Sequence, residues 1–272
     1  PRHVMRLLVA AAALRFSEQT YAQSLVLPDN PKTEFEAFIA VGNLLFFTAN
    51  DGVHGYELWA HDPESETTYL VKDANPGRNS GVAETLFAWG DTLYFVGEDG
   101  KHGSELWRSA GPEAGTRMVC NINTRVGHAS HARHFGVFND WLYFVADDGY
   151  HGYELWRTQG GADYTAMVAD LHPPPASIGT TFAIAPFPDF ALFRAATRLG
   201  DGELWRTDGS LEGTYEIPIP SFHLESVRGD MVRLGDKALF VARSEGHGVE
   251  LWYSSGTVAE TGLVKDIAPG TT

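Results

Sequence analysis

The sequence contains a single cysteine, Cys120, among 272 residues, so it cannot form an intrachain disulfide. Small folds held together by disulfides are therefore excluded. No uninterrupted run of 18 apolar residues occurs, which disfavours a membrane-spanning helix. Basic residues are scarce as well. Lysine and arginine total 20 against 35 acidic residues, and the formal net charge of −15 argues against a nucleic-acid partner.

Common catalytic signatures are also missing. The sequence has no G-x-S-x-G nucleophile elbow, no H-E-x-x-H helix and no phosphate-binding loop. It therefore predicts no catalytic residue and no cofactor, although a bound divalent cation stays open. Cys120 occupies the position that Lys72 and Lys265 hold in other copies of the repeat described next, so we interpret it as a bystander within the fold.

What the sequence does contain is one stretch repeated five times. Its fullest copy is Asp148-Gly149-Tyr150-His151-Gly152-Tyr153-Glu154-Leu155-Trp156-Arg157. The Glu-Leu-Trp triplet begins at Glu57, Glu105, Glu154, Glu203 and Glu250, with spacings of 48, 49, 49 and 47 residues. So regular a period indicates a repeat architecture.

Each repeat is predicted to form four short antiparallel strands. In the first repeat they fall at 37–41, 44–49, 56–61 and 68–72, and Gly42-Asn43 is a hairpin signal between the first two. Second strands such as Leu142-Tyr143-Phe144-Val145 are apolar at consecutive positions, so both sheet faces should be covered. These features predict an all-β protein, a β-propeller with five blades of about 48 residues.

The predicted propeller is a single domain over residues 24–272, with blades at 37–80, 84–123, 135–172, 182–219 and 231–270. A solenoid is the competing architecture. A sixth blade in a longer chain also stays open. Residues 1–23 are predicted to be a signal-like or N-terminal extension, because a basic start precedes the apolar run Leu7-Leu8-Val9-Ala10-Ala11-Ala12-Ala13-Leu14. A retained N-terminal helix is the alternative.

Residues Glu203-Leu204-Trp205-Arg206-Thr207-Asp208-Gly209-Ser210-Leu211-Glu212-Gly213-Thr214 resemble the ELWxxDGT (hyalin-like) repeat family of surface or secreted proteins. The ending Leu263-Val264-Lys265-Asp266-Ile267-Ala268-Pro269-Gly270 resembles it as well. The resemblance covers about residues 37–270 and implies a secreted, periplasmic or cell-surface protein. It implies no particular activity, because the family is defined by its repeat. The Asp-Gly pair after the tryptophan survives only as Asp208-Gly209, and repeat 4 lacks the usual turn before Glu203.

The turn before each Glu-Leu-Trp triplet supplies the candidate binding residues. In a radial fold, equivalent turns form a ring on one end of the disc, where Asp and His could bind a sugar, a peptide or a cation. The alternative is structural, with Asp capping its own turn and the imidazole covering the tryptophan of its own blade. The residues are Asp51, His54, Asp99, His102, Asp148, His151 and His247.

The repeated glutamates and tryptophans are predicted to be structural. A carboxylate at a strand start needs hydrogen bonds or a cation, and the cations considered are Lys72, Lys265, Arg108, Arg157 and Arg206. Tryptophan brings a large apolar area to blade packing, while an exposed platform for sugars is the alternative. These tryptophans are Trp59, Trp107, Trp156, Trp205 and Trp252.

Two further motifs are weaker. His128, His131 and His134 have a spacing that could hold a transition metal, although histidine-rich loops are often only solvated. Arg228-Gly229-Asp230 spells an integrin-type tripeptide, but a three-residue match often arises by chance.

From the sequence we expect a non-catalytic propeller that mediates protein–protein interaction, adhesion or assembly, either with another protein or with itself. One alternative is a lectin that binds a surface glycan with one weak site per blade. A second is a glycoside hydrolase with carboxylates around the axis.

Overall fold

The computed structural model describes residues 34–171, 184–198, 201–219, 222–224, 231–267 and 269. The predicted N-terminal extension 1–23 and the tripeptide Arg228-Gly229-Asp230 lie outside these residues.

The described chain is all-β, and its strands form five successive antiparallel groups. Blade 1 holds β1 (Glu34–Val41), β2 (Leu44–Asn50), β3 (Tyr56–Asp62) and β4 (Thr67–Lys72). Blade 2 holds β5 (Val82–Trp89), β6 (Thr92–Gly97), β7 (Glu105–Ser109) and β8 (Arg117–Met118). Blade 3 holds β9 (Arg133–Phe138), β10 (Trp141–Asp147), β11 (Tyr153–Thr158) and β12 (Thr165–Ala169). Blade 4 holds β13 (Ile184–Pro186), β14 (Ala191–Arg198), β15 (Asp201–Thr207) and β16 (Tyr215–Glu216). Blade 5 holds β17 (Phe222–Leu224), β18 (Val232–Leu234), β19 (Lys237–Ser244), β20 (Gly248–Ser254) and β21 (Thr261–Lys265).

Within blades 1 to 4, successive strands pair with their sequence neighbours, and in blade 5 β18 to β21 do the same. The predicted five-bladed β-propeller with four-stranded antiparallel blades is therefore confirmed. The fourth strands of blades 2 and 4 are shorter than predicted, with two residues each. Hydrogen bonding nevertheless continues beyond them, because Val119 N donates to Leu106 O at 2.8 Å and Ile217 N to Leu204 O at 2.7 Å.

Blade 5 has one strand more than predicted, because the segment β17 precedes β18, which lies at the predicted first strand. The β17 segment pairs with β19 and also makes one bridge to β15, at Gly202↔Leu224, so blades 4 and 5 share one sheet. The β18 segment pairs with the other half of β19. The first strands of blades 1 to 3 each carry an irregularity in their pairing, such as the shift between Glu36 and Phe38 in blade 1.

Each blade has two apolar faces, named here after the Glu-Leu-Trp triplet. The incoming face carries the tryptophan, and the outgoing face carries the leucine. One hydrophobic cluster contains Leu58 of blade 1 and Trp107 of blade 2. The same pairing joins the following blades through Leu106 with Trp156, Leu155 with Trp205, and Leu204 with Trp252. Each of these four tryptophans therefore packs between two blades.

The fifth cluster lies within blade 1. It consists of Phe47, Ala49 and Trp59, with Phe35 and Leu70 packed against them. In the middle blades both faces of the second strand are buried, as predicted. For example, Leu142, Tyr143, Phe144 and Val145 are each at most 2% exposed.

Two residues after the tryptophan, blades 2 to 5 carry a buried hydroxyl. In blade 3, Thr158 shares a 2.7 Å hydrogen bond with Thr165 and accepts one from Gly160 N at 2.8 Å. The glycine has φ 91°, and a Cβ there would collide with Tyr94 and Arg108 of blade 2. Arg108 donates to Gly160 O at 3.1 Å. A glycine at this position therefore lets the preceding blade approach closely.

The other blades of this group repeat the arrangement. The hydroxyl pairs Ser109–Thr116, Thr207–Thr214 and Ser254–Thr261 are each 2.7 Å apart. In blade 1 the hydroxyl position is His61, which bonds to Thr68 at 2.9 Å, and the glycine position is Pro63. None of the helices among the described residues is long and apolar enough to cross a membrane.

Candidate functional site

The turns between the second and third strands of blades 1 to 3 share one geometry. In blade 3, Asp148 Oδ1 accepts hydrogen bonds from the amides of Tyr150 and His151, both at 2.8 Å, and Oδ2 lies 2.7 Å from His151 Nδ1. Blades 1 and 2 repeat the contacts, with Asp51 to His54 Nδ1 and Asp99 to His102 Nδ1 both at 2.7 Å. Each turn is therefore held rigidly by its own aspartate.

The electrostatics follow from these bonds. Burial alone would raise the pKa of Asp51, but hydrogen bonds from two amides and the imidazole outweigh it and leave the pKa below its ordinary value. Asp99 and Asp148 behave alike. The hydrogen bond to aspartate raises the pKa of His54 and of His151 above the usual 6.5. In the turns of blades 1 and 3 these opposite pKa shifts favour an ionised aspartate next to a protonated imidazole.

The sequence left open that these residues are structural, with each aspartate capping its own turn. This capping is observed in blades 1 to 3. The imidazole binds this aspartate through Nδ1. The side chains of His54, His102 and His151 remain 34%, 42% and 40% exposed. Whether these side chains bind a ligand stays a prediction.

Blades 4 and 5 lack this turn. In blade 4 a short connection leads from Arg198 to its ladder partner Asp201. In blade 5, His247 lies 3.4 Å from Ser244 and is exposed. The predicted ring of equivalent positions is therefore present on blades 1 to 3 only.

The three turns and the loops between them form one continuous surface, the turn ridge. Its segments are residues 51–55, 73–81, 99–103, 121–130 and 148–152. Gly55 lies against Asn79 of the following loop, and Gly100 of the next turn lies against Asn75 of that same loop. Gly103 in turn contacts His128. Gly149 contacts Asn123 and Arg125, so turn and loop alternate along three blades.

The repeated glutamates hold these loops in place. Glu57 accepts hydrogen bonds from the amides of Ala74 at 3.1 Å and Asn75 at 3.3 Å. Glu105 does the same with Ile122 and Asn123, both at 3.1 Å. Single bonds of the same kind join Glu154 to Leu171 N at 2.9 Å and Glu250 to Ile267 N at 3.1 Å.

The structural role predicted for these glutamates agrees with this geometry. The predicted cation partners were Lys72, Lys265, Arg108, Arg157 and Arg206, but the hydrogen bonds to Glu57 and Glu105 described above come from backbone amides. These amides lie about 17 residues downstream. Burial raises the pKa of Glu57 to about 7, against the lowering effect of the Ala74 and Asn75 amides. Glu105 likewise reaches about 7 through burial.

The outer surface of the turn ridge is apolar and basic. Val53, Val126 and Tyr150 are 59%, 95% and 60% exposed. The Arg125 guanidinium lies 4.8 Å from the Tyr150 ring centroid. Arg78 and Lys101 are also exposed, whereas the aspartates lie lower and are occupied by amides. Sequence reasoning missed these tip residues, because each differs from its equivalents in the other blades.

Other sequence candidates are not assembled into sites. Among the described residues, no group of three His, Cys, Asp or Glu side chains is placed to hold a metal ion, so His128, His131 and His134 do not form the predicted cluster. Trp59, Trp107 and Trp252 offer no open sugar platform, since they are at most 9% exposed. Burial raises the pKa of Cys120 to about 11.

One cleft of about 490 Å³ opens at the other end of blades 4 and 5. The rings of Phe187 and Phe190 stack at 4.5 Å along one wall. Arg206 caps the Phe190 ring at 4.0 Å, and Arg233 caps Phe187 at 5.1 Å. Asp236, Ser255 and Glu260 complete the lining. The cations occupy the outer ring faces, so this stack leaves no aromatic face free for a ligand.

Neither protein-family models nor curated proteins match this chain. Solved structures do. A puromycin hydrolase mutant complexed with PGG is 14% identical, with 88% of this chain and 38% of that chain covered and a TM-score of 0.55. A Mycobacterium tuberculosis puromycin-hydrolyzing peptidase is 12% identical over 88% and 38%, with a TM-score of 0.54. The beta-propeller domain of the Trilobed protease from Pyrococcus furiosus is 14% identical over 85% and 70%, with a TM-score of 0.45.

This chain thus spans only 38% of the length of the first two structures. Identities of this size show a shared fold alone. The fold is a β-propeller, in agreement with the strand order and packing between blades described above.

Proposed function

We propose that this chain is a non-catalytic propeller that binds another protein through the turn ridge, at a cell surface or in a secreted or periplasmic setting. The observation that carries the proposal is the exposure of Val53 and Tyr150 on rigidly capped turns and of Val126 on the loop between two of these turns. Loops on a stiff β scaffold commonly carry recognition. Exposed apolar and aromatic side chains beside arginine are typical of protein interfaces.

The turn ridge suits one extended contact better than five equal ones. Its turns share Asp and His, but their tips are Val53, Lys101 and Tyr150, and blades 4 and 5 lack the turn. A lectin with one site per blade would need matching exposed groups in most blades. The repeated carboxylates also give little support to a glycosidase, because Glu57 and Glu105 are fully buried and occupied by backbone amides.

The test compares two triple variants of the purified chain. The first changes Val53, Val126 and Tyr150 to serine. The matched control changes Tyr164, Leu211 and Val258 to serine, which are 60%, 63% and 49% exposed on the turns between third and fourth strands. Both variants should fold as the parent does, by circular dichroism.

Each protein is then used to enrich partners from a surface and supernatant extract of the producing cells, with quantitative mass spectrometry. A partner retained by the control but lost at least tenfold by the ridge variant is expected. That partner is then purified and titrated by calorimetry. Equal enrichment by both variants, or a measured affinity that the ridge substitutions leave unchanged, would contradict the proposal.

A further inference from the structure

The outgoing face of blade 5 differs from the outgoing faces of the middle blades in its exposure. In blade 2, Tyr94, Val96 and Leu106 are at most 6% exposed, because blade 3 covers them. The equivalent residues of blade 5 are Leu239, Val241 and Leu251, which are all partly exposed. Val249, next to them, is 44% exposed. Within the described residues, no hydrophobic cluster joins this face to another blade.

The blade 5 face nevertheless has the chemistry of an internal interface. In blade 3, the Arg157 guanidinium lies 4.4 Å from the Trp141 ring. This pair lies at one end of the outgoing face, where Arg157 meets Gly209 of blade 4. In blade 4 the corresponding pair is Arg206 and Phe190, at 4.0 Å. In blade 5 the two positions carry Lys237 and Tyr253, at 4.3 Å. The cation and the aromatic ring have exchanged strands, but the pair is kept.

The incoming faces that cover the other blades show what such a surface accepts. Each one brings a tryptophan, a hydroxyl two residues later and a glycine four residues later. That glycine has positive φ. In blades 3 to 5 it receives an aromatic and an arginine side chain of the preceding blade, and in blade 2 it receives Leu44. The three residues are Trp107, Ser109 and Gly111 in blade 2, Trp156, Thr158 and Gly160 in blade 3, Trp205, Thr207 and Gly209 in blade 4, and Trp252, Ser254 and Gly256 in blade 5.

Blade 1 does not offer this combination. Its hydroxyl and glycine positions are His61 and Pro63. Its Phe47 and Trp59 are already 0% and 9% exposed. A proline ring cannot make room for Lys237 and Tyr253 in the way a glycine does. Blade 1, of the same chain or of a second copy, is therefore a poor match.

We propose that the outgoing face of blade 5 is a docking surface for a sixth blade of the same repeat, one that presents the Trp, hydroxyl and glycine combination. The support is continuity, because four internal interfaces use the same two complementary faces. Covering this face would bury Leu239, Val241 and Leu251 as their equivalents are buried in blades 2 and 3. The proposal concerns a different surface from the turn ridge and does not depend on it.

The test appends a sixth blade to the full chain. Residues Lys265-Asp266-Ile267-Ala268-Pro269-Gly270 correspond to Lys72-Asp73-Ala74-Asn75-Pro76-Gly77. A copy of residues 80–123 placed after Thr272 therefore continues the register. The substitution Val241→Cys places a thiol on the outgoing face of blade 5, so its rate of labelling by a maleimide measures how accessible that face is. The half-buried Cys120 serves as internal reference. The matched control carries Trp107→Arg in the appended copy only.

Labelling at position 241 should be fast in the 272-residue protein and at least tenfold slower in the extended one. The control extension should restore the fast rate. A second extension, built from residues 129–172 of blade 3, guards against failure of one copy to fold. Unchanged labelling with both extensions would overturn the proposal. So would slow labelling of the 272-residue protein together with a dimer mass in light scattering, since the face would then belong to a second copy.

Discussion

Blades 3 and 4 carry almost the same sequence around the tryptophan and differ in what precedes it. Glu-Leu-Trp-Arg-Thr occurs in both, at Glu154 and Glu203. Their hydroxyl pairs have the same 2.7 Å length. Only blade 3 has the Asp148–His151 turn, whereas blade 4 closes tightly between Arg198 and Asp201. Blade 4 thus forms without the turn. The motif therefore has two separable halves. The packing half is the Glu-Leu-Trp-Arg-Thr segment with its hydroxyl pair, and the surface half is the Asp–His turn.

The largest effect should come from the packing half, and it should be alike in both blades. Trp156→Ala and Trp205→Ala each remove an indole from a cluster between blades. Loss of buried area and the remaining cavity should lower the free energy of unfolding by about 3–4 kcal/mol each. Urea denaturation followed by circular dichroism measures this. A loss below about 1 kcal/mol in either variant would mean that blade packing does not depend on the indole.

The glutamates should separate the two blades. Glu154 is fully buried and accepts from Leu171 N, whereas Glu203 is half-buried. Glu154→Ala leaves a buried amide without an acceptor and should cost about 3 kcal/mol, against about 1 kcal/mol for Glu203→Ala. Urea midpoints of both variants, measured at the same pH, provide the comparison. Equal losses would show that loop anchoring is as strong where the turn is absent.

The partners of these glutamates illustrate where prediction from sequence stops. Strand positions could be predicted, because a period near 48 residues, consecutive apolar positions and Gly-Asn turns are all local signals. The acceptor role of Glu105 could not, because two of its donors are plain backbone amides, those of Ile122 and Asn123. Neither residue type marks a hydrogen-bond donor. The requirement for glycine at position 160 could not be predicted either, because it arises from Tyr94 and Arg108 of blade 2, which lie against Gly160.

The Asp–His pairing is a different case. Three residues separate Asp148 from His151 within one turn, so contact between them follows from local geometry. The tips Val53 and Tyr150 carry no shared signal, and only their exposure reveals them. Likewise, the additional strand β17 of blade 5 pairs with β15 and β19, and no local pattern encodes this pairing.

Stability should also depend on pH through the buried glutamates of blades 1 and 2. Burial raises the folded-state pKa of Glu57 and Glu105 to about 7, above the ordinary 4.5. The folded state then binds more protons between these values, so stability is greatest below pH 4.5–5 for these groups and is lost as pH rises through 7.

Between pH 5 and pH 8 each of the two groups should lower the free energy of unfolding by about 2.5 kcal/mol. Thermal unfolding across this range measures the slope, and Glu105→Gln should reduce it by about half. The raised pKa of His54 gives the same sign. A slope that Glu105→Gln leaves unchanged would assign the pH dependence to other groups.

Smaller effects should follow from the hydroxyl pairs, again equally in both blades. Thr158→Val and Thr207→Val each remove a buried hydrogen bond to a second threonine and the acceptor for a glycine amide. Each should cost about 1–2 kcal/mol in urea denaturation. The serine variants at both positions keep the hydroxyl and should cost less. A difference of more than about 1 kcal/mol between the two valine variants would break the equivalence of the two packing halves.

The smallest change is expected at the turn. His151→Ala removes an imidazole that is 40% exposed and paired with Asp148 only within its own turn, while Asp148 Oδ1 still caps the amide at position 151. Because blade 4 forms without any such pair, the urea midpoint should stay within error of the parent. Binding to a ridge partner should weaken, since this side chain lies on the proposed contact surface. A midpoint shift as large as that of Thr158→Val would place the imidazole in the packing half and remove the distinction between blades 3 and 4.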